Sequence, residues 1–85
     1  MDNDIAFENL ANAIIVQAAV EYRREYDILL KRPRDQDAKK RLARLKDFFY
    51  SDYFHLLTKA DPSYLIEQLE KTPFAEIRRE ARWYL

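Results

Sequence analysis

His55 is the single histidine of the chain, and Ser51 precedes it by one helical turn. A serine–imidazole pair can do nucleophilic catalysis when the ring takes the hydroxyl proton and a third group orients the ring. Here the surrounding chemistry is missing. The 85 residues include no glycine, so neither a nucleophile elbow with its oxyanion loop nor a phosphate-cradling Walker or dinucleotide loop can be built. They include no cysteine, which removes thiol catalysis, disulfides and thiolate zinc sites. No Asp-x-Asp run continues with the ligand spacing of a calcium loop: Asp2-x-Asp4 and Asp35-x-Asp37 are followed at the twelfth position by Ala13 and Lys46. Glu21 and Glu25 stand one turn apart beside Arg23 and Arg24. An acid/base pair would need burial and a cleft, whereas i,i+4 pairing on a charged helix face accounts for them. The expectation is a protein that is not an enzyme, with no catalytic residue, no cofactor and no metal.

Two other constellations could bind a partner. Between residues 31 and 46 the chain carries Lys31, Arg32, Arg34, Lys39, Lys40, Arg41, Arg44 and Lys46 against Asp35 and Asp37, although the whole chain is neutral. Residues 1–30 and 47–70 are each net −4. A cationic block of this kind can follow phosphates or dock on an acidic protein surface. It can equally be neutralised within the molecule by Glu21, Glu25 and Asp27 on the adjoining end of the first helix. Arg78, Arg79 and Arg82 beside Trp83 repeat the ambiguity on a smaller scale. The second constellation is Phe48-Phe49-Tyr50-Ser51-Asp52-Tyr53-Phe54. Its aromatics cannot all face one core from a straight helix. Either a break at Ser51-Asp52 turns both halves inward, or Tyr50 and Tyr53 point outward as an anchor pair for a protein or for bases.

The elements that position these residues follow from caps and periodicity. Phe7, Ala11, Ile14, Ala18 and Tyr22 recur at helical spacing, widened by Leu10, Ile15 and Leu29, within one long helix over about 4–32. Between Leu10 and Val20 only Asn12 and Gln17 interrupt the apolar residues, so that helix must be covered on most sides. Pro33 stops it. Asp35 caps a second helix, about 36–50, with Ala38, Leu42, Leu45 and Phe49 inward. Ser51 or Asp52 restarts a short third helix over 53–59. Asp61-Pro62 and Thr72-Pro73 each pair a cap with proline at the first helical position. They predict helices over 62–71, packed by Tyr64, Leu65, Ile66 and Leu69, and over 73–84. The fold class is therefore all-α: one domain, residues 1–85, a small bundle of about five helices around a long N-terminal one.

Area scaling gives a folded surface of roughly 5,400 Å² for this mass, a modest core. That, with the apolar belt of the first helix, leads us to expect a two-fold homodimer through that helix. The longest apolar run is too short to span a bilayer. The acidic start Met1-Asp2-Asn3-Asp4 is unlike a secretory signal, so a cytoplasmic protein with no membrane contact is expected.

Residues Ala11-Asn12-Ala13-Ile14-Ile15-Val16-Gln17-Ala18-Ala19-Val20-Glu21-Tyr22-Arg23 resemble the opening helix of small proteins encoded by phages and prophages of Gram-positive bacteria. The run from Phe48 to Thr58, followed by Tyr64-Leu65-Ile66-Glu67-Gln68-Leu69, is similar to their second half. The likeness covers roughly residues 10–70. Asp61-Pro62-Ser63-Tyr64 departs from it, because the pattern has glycine between the acid and the tyrosine. The resemblance implies a small helical phage accessory protein and carries over no site. The expected function is protein–protein interaction, binding and blocking or scaffolding a bacterial host protein in the host cytoplasm. Anti-defence inhibitors, anti-CRISPR ones among them, are a subset of that class. The alternative is a small nucleic-acid-binding protein using Lys31 to Arg44. The expected partner-binding residues are Lys39, Lys40, Arg41, Arg44, Tyr50 and Tyr53.

Overall fold

The computed structural model describes residues 3–73 and 76. Four α-helices carry the regular structure among them: α1 (Asn3–Lys31), α2 (Gln36–Phe49), α3 (Asp52–Leu57) and α4 (Pro62–Lys71). The all-helical class read from the sequence is observed, with ends displaced by one or two residues. The first helix stops at Lys31, because Arg32 precedes Pro33 and is pushed out of helical geometry. The second stops at Phe49, with Tyr50 as its C-cap. The third covers Asp52–Leu57 and not 53–59, since Ser51 rather than a later residue is the cap. The fourth matches 62–71. The expected helix over 73–84 lies outside the described residues, apart from Pro73 and Glu76.

At 1.5 Å per residue, the 29 residues of α1 span about 43 Å, most of the 49 Å long axis of the molecule. Every other helix packs on α1. The turn after α1 is closed by Arg32 N–H to Ile28 O (2.7 Å) and Asp35 N–H to Arg32 O (3.0 Å). The Asp35 carboxylate then accepts from Ala38 N–H at 3.0 Å and starts α2. Helix α2 runs back along α1: Arg41 meets Glu25, and Phe49, farther along, meets Tyr22.

The core sits where α2, α3 and α4 converge on the middle of α1. Tyr22, Phe49 and Phe54 are fully buried, together with Ala18, Ala19, Leu42, Ile66 and Leu69. The two alanines leave room for rings beside them. Tyr22 packs edge-on to Phe49 at 6.0 Å, and Phe49 to Phe54 at 5.6 Å, the tilted geometry favoured by the ring quadrupoles.

Ser51 makes the aromatic run foldable. Its Oγ donates to Phe48 O at 2.6 Å and accepts from Phe54 N–H at 3.2 Å. The chain bends there, and Phe49 and Phe54 turn inward from either side. Tyr50 and Tyr53 remain about half exposed. The cluster thus divides: the break buries phenylalanines and leaves the two tyrosines outside.

Three expected core residues are corrected. Phe7 and Leu10 are 53% and 61% exposed, and Tyr64 is 62% exposed. Helical spacing puts Phe7 in line with Ala11 and Ala18, and the stripe is buried at Ala11 and Ala18 but exposed at Phe7, one turn nearer the start of α1. Tyr64 lies opposite Ile66 and Leu69, the residues that α4 buries. No helix among the described residues is long and apolar enough to cross a membrane.

Candidate partner-binding surface

Helix α2 is sharply two-sided. Ala38, Leu42 and Phe49 are buried and Leu45 is half-buried, so spacing of three and four forces Lys39, Lys40 and Arg44 onto the other sides. All three are exposed. Among the described residues none of them has a carboxylate within ion-pair distance. Lys40 and Arg44 stand at i,i+4, where like charges repel. Lys31, Arg32 and Arg34 at the hairpin turn are exposed as well, and Arg32, Pro33 and Arg34 line a shallow recess with Asp35.

Arg41 belongs to a different arrangement. Its Nε donates to Glu25 Oε2 at 2.7 Å. Glu25 is only 8% exposed, so this contact supplies the countercharge that a buried carboxylate requires. The hydrogen bond to Glu25 raises the Arg41 pKa against a smaller opposing effect of desolvation. The expected internal neutralisation is therefore made by one of the three acids named for it. Asp27 instead pairs with Arg23 within α1 at 2.8 Å, and Glu21 accepts from Gln17 at 3.5 Å. The reading of Glu25 as an i,i+4-paired member of a charged helix face is corrected: it is buried and paired with Arg41 of α2.

Tyr50 and Tyr53 lie at the far end of α2 from Lys39, about 16 Å along the helix axis at 1.5 Å per residue. The Tyr50 hydroxyl shares a 2.9 Å hydrogen bond with Ser63 Oγ, and Tyr53 packs edge-on to Phe48 at 6.2 Å. The structure thus groups Lys39, Lys40 and Arg44 on one face, commits Arg41 to Glu25, and sets the tyrosines apart as a separate aromatic edge.

His55 is exposed and meets the Phe54 ring at 6.0 Å. The Ser51 hydroxyl is occupied as the α3 cap, which accounts for a serine at that spacing. Among the described residues no group of three or more His, Asp or Glu side chains is placed to hold a metal ion.

Two features escaped the sequence reading. A groove runs between α1 and α2. One end is lined by Ile14, Ala18, Leu45 and Phe48, the other by Arg24, Arg41 and Arg44 with Glu21 and Glu25. On the opposite side of α1, Arg23 Nη1 donates to Leu69 O at 3.0 Å and Glu70 O at 2.8 Å, closing the C-terminal end of α4. The guanidinium also lies 5.2 Å from the Tyr26 ring centroid. The signal available in the sequence was the Tyr-Arg pair at 22–23, which reads equally well as ordinary helix surface.

No protein-family model matches the chain, and no curated protein or solved structure is significantly similar to it.

Proposed function

We propose that this chain is a non-enzymatic phage or prophage accessory protein that binds an acidic surface of a larger bacterial protein, in the host cytoplasm, and blocks or scaffolds it. The observation that carries the reading is the outer face of α2. Lys39, Lys40 and Arg44 project together without an intramolecular counterion among the described residues, while the acid buried beneath, Glu25, is already matched by Arg41. In the free protein the Lys40/Arg44 repulsion is uncompensated, a cost of a few tenths of a kcal/mol. An anionic partner relieves it. Arginine can hold a carboxylate through two parallel hydrogen bonds, and lysine adds a less directional charge. Tyr50 and Tyr53, half exposed on the same helix end and its continuation, would supply the amphipathic contact area typical of interface anchors. Arg41 supports the face by holding α2 on α1 and is not itself an anchor.

An acidic protein surface is favoured over nucleic acid because the cationic face belongs to a chain of zero net charge. The test compares the wild type with K39E/K40E. Capture of a host protein should be lost in the variant, with its melting temperature unchanged or slightly raised, because the Lys40/Arg44 repulsion is removed. Capture that survives K39E/K40E would overturn the reading. Tight binding to duplex DNA with a steep salt slope would transfer the face to nucleic acid instead.

A further inference from the structure

One flank of α2 faces away from both the core and the groove. The groove residues Arg41, Arg44, Leu45 and Phe48 share one side of the helix. Lys39, Ala43, Lys46 and Tyr50, spaced by four, three and four, therefore form a seam on the other side. All four are exposed. Among the described residues Lys46, like Lys39, has no carboxylate within ion-pair distance. Ala43 is the small side chain in the middle of the seam. Lys39 and Lys40 lie one turn before it, and Lys46 and Asp47 lie one turn after it. Tyr50 ends the seam, where its hydroxyl is held by the 2.9 Å hydrogen bond with Ser63 Oγ. Lys39 and Lys46 are two turns apart, about 10.5 Å along the axis at 1.5 Å per residue.

We infer that the element of the acidic partner that docks here is an α-helix, laid lengthwise along the seam with its backbone nearest at Ala43. The inference rests on the partner-binding reading of the cationic face given above and adds the form of the partner. Carboxylates on one side of a helix recur after two turns, about 10.5 Å, which is the separation of Lys39 from Lys46. An extended segment presents every second side chain to one side, about 6.7 Å apart. Its carboxylates fall short of the second lysine or beyond it. Packed helices bring their axes to about 8–10 Å, a distance set by the side chains at the contact, and Ala43 admits the short end of that range. The lysine stems lie along the partner and carry their ammonium groups to its acids. The Tyr50 ring covers apolar surface on the last turn of the same helix. Asp47, beside Ala43 and Lys46, opposes a partner acid at that turn and weakens the attraction.

The test is fluorescence anisotropy at low salt with a labelled probe, an alanine-based helical peptide of about 20 residues carrying glutamates two turns apart on one face. Two control peptides keep its charge. In one the glutamates are spread around the helix, and in the other central prolines break it. The wild type should bind the one-faced helix about tenfold more tightly than either control. A43W and K46E should each weaken that binding about tenfold, A43S should leave it unchanged, and D47K should tighten it. Ala43, Lys46 and Asp47 are exposed, so these variants should keep their helical circular dichroism. Equal affinity for the three peptides would overturn the helical partner. Undiminished binding by A43W, with binding abolished in K39E/K40E, would also overturn it and leave the cationic face standing. Binding that survives K39E/K40E would overturn the partner-binding reading and this inference with it. Duplex DNA that displaces the one-faced helix at lower concentration would transfer the seam to nucleic acid.

Discussion

The Tyr22 hydroxyl, buried in the middle of α1, donates a 2.6 Å hydrogen bond to Glu70 Oε2 near the end of α4, 48 residues away. This contact and the two Arg23 bonds to Leu69 O and Glu70 O come from adjacent residues of α1 and hold one end of α4. Helix α4 is ten residues long, too short to be stable by itself in water. Its place depends on Ile66 and Leu69 in the core and on this polar clasp.

The clasp makes stability fall at alkaline pH. Burial, and then the hydrogen bond and charge of Glu70, push the Tyr22 pKa well above the ordinary tyrosine value. The neutral phenol is therefore favoured by folding. The sign follows from proton linkage: the unfolded chain releases this proton first, near pH 10, so the contribution is complete below that pH and is lost progressively above it. Thermal melts between pH 8 and 11 should show a steeper alkaline decline for the wild type than for Y22F. At pH 7, Y22F should be less stable by about 1.5–3 kcal/mol, one hydrogen bond to a charged group. Parallel alkaline curves for the two proteins would remove Tyr22 as the cause.

Arg23 should matter more than its place in a charged run suggests. R23M keeps a straight apolar stem but leaves two carbonyls at the end of α4 without their donor. The expected loss is about 1.5–3 kcal/mol, the range for hydrogen bonds to a charged group, read as a shift of the urea midpoint at constant slope. Hydrogen exchange should quicken first in α4, because the local opening that frees α4 becomes easier.

The pair Glu25–Arg41 separates structural from functional cations on one helix. R41Q should lower the melting temperature by leaving a buried carboxylate without its counterion, and E25Q/R41Q should recover part of the loss. K40E, one residue earlier and exposed, should not lower the melting temperature and should raise it slightly by replacing the Lys40/Arg44 repulsion with an opposite-charge pair. If R41Q is silent, the α1–α2 contact rests on apolar packing alone.

Much of the local architecture was written in single residues. Pro33 had to end α1, Asp35 and Ser51 had to start helices, and Asp61-Pro62 had to start α4, because caps and proline act through hydrogen bonds and sterics within three or four residues of themselves. The inward face of α2 was legible for the same reason: Ala38, Leu42, Leu45 and Phe49 share a side whatever they pack against. The exposure of Lys39, Lys40 and Arg44 followed directly. Which distant groups meet was not legible. That Arg41 reaches Glu25 while Asp27 stays with Arg23, and that Tyr22 and Arg23 hold α4 together, depends on how the helices cross. Crossing is a property of the whole core, in which Ala18 and Ala19 are buried together with Tyr22, Phe49 and Phe54. The same holds for Phe7 and Leu10. Their spacing marks them as one face with Ala11 and Ala18, but burial of that face requires a neighbour alongside it, and α2, at fourteen residues, runs back along only part of the length of α1.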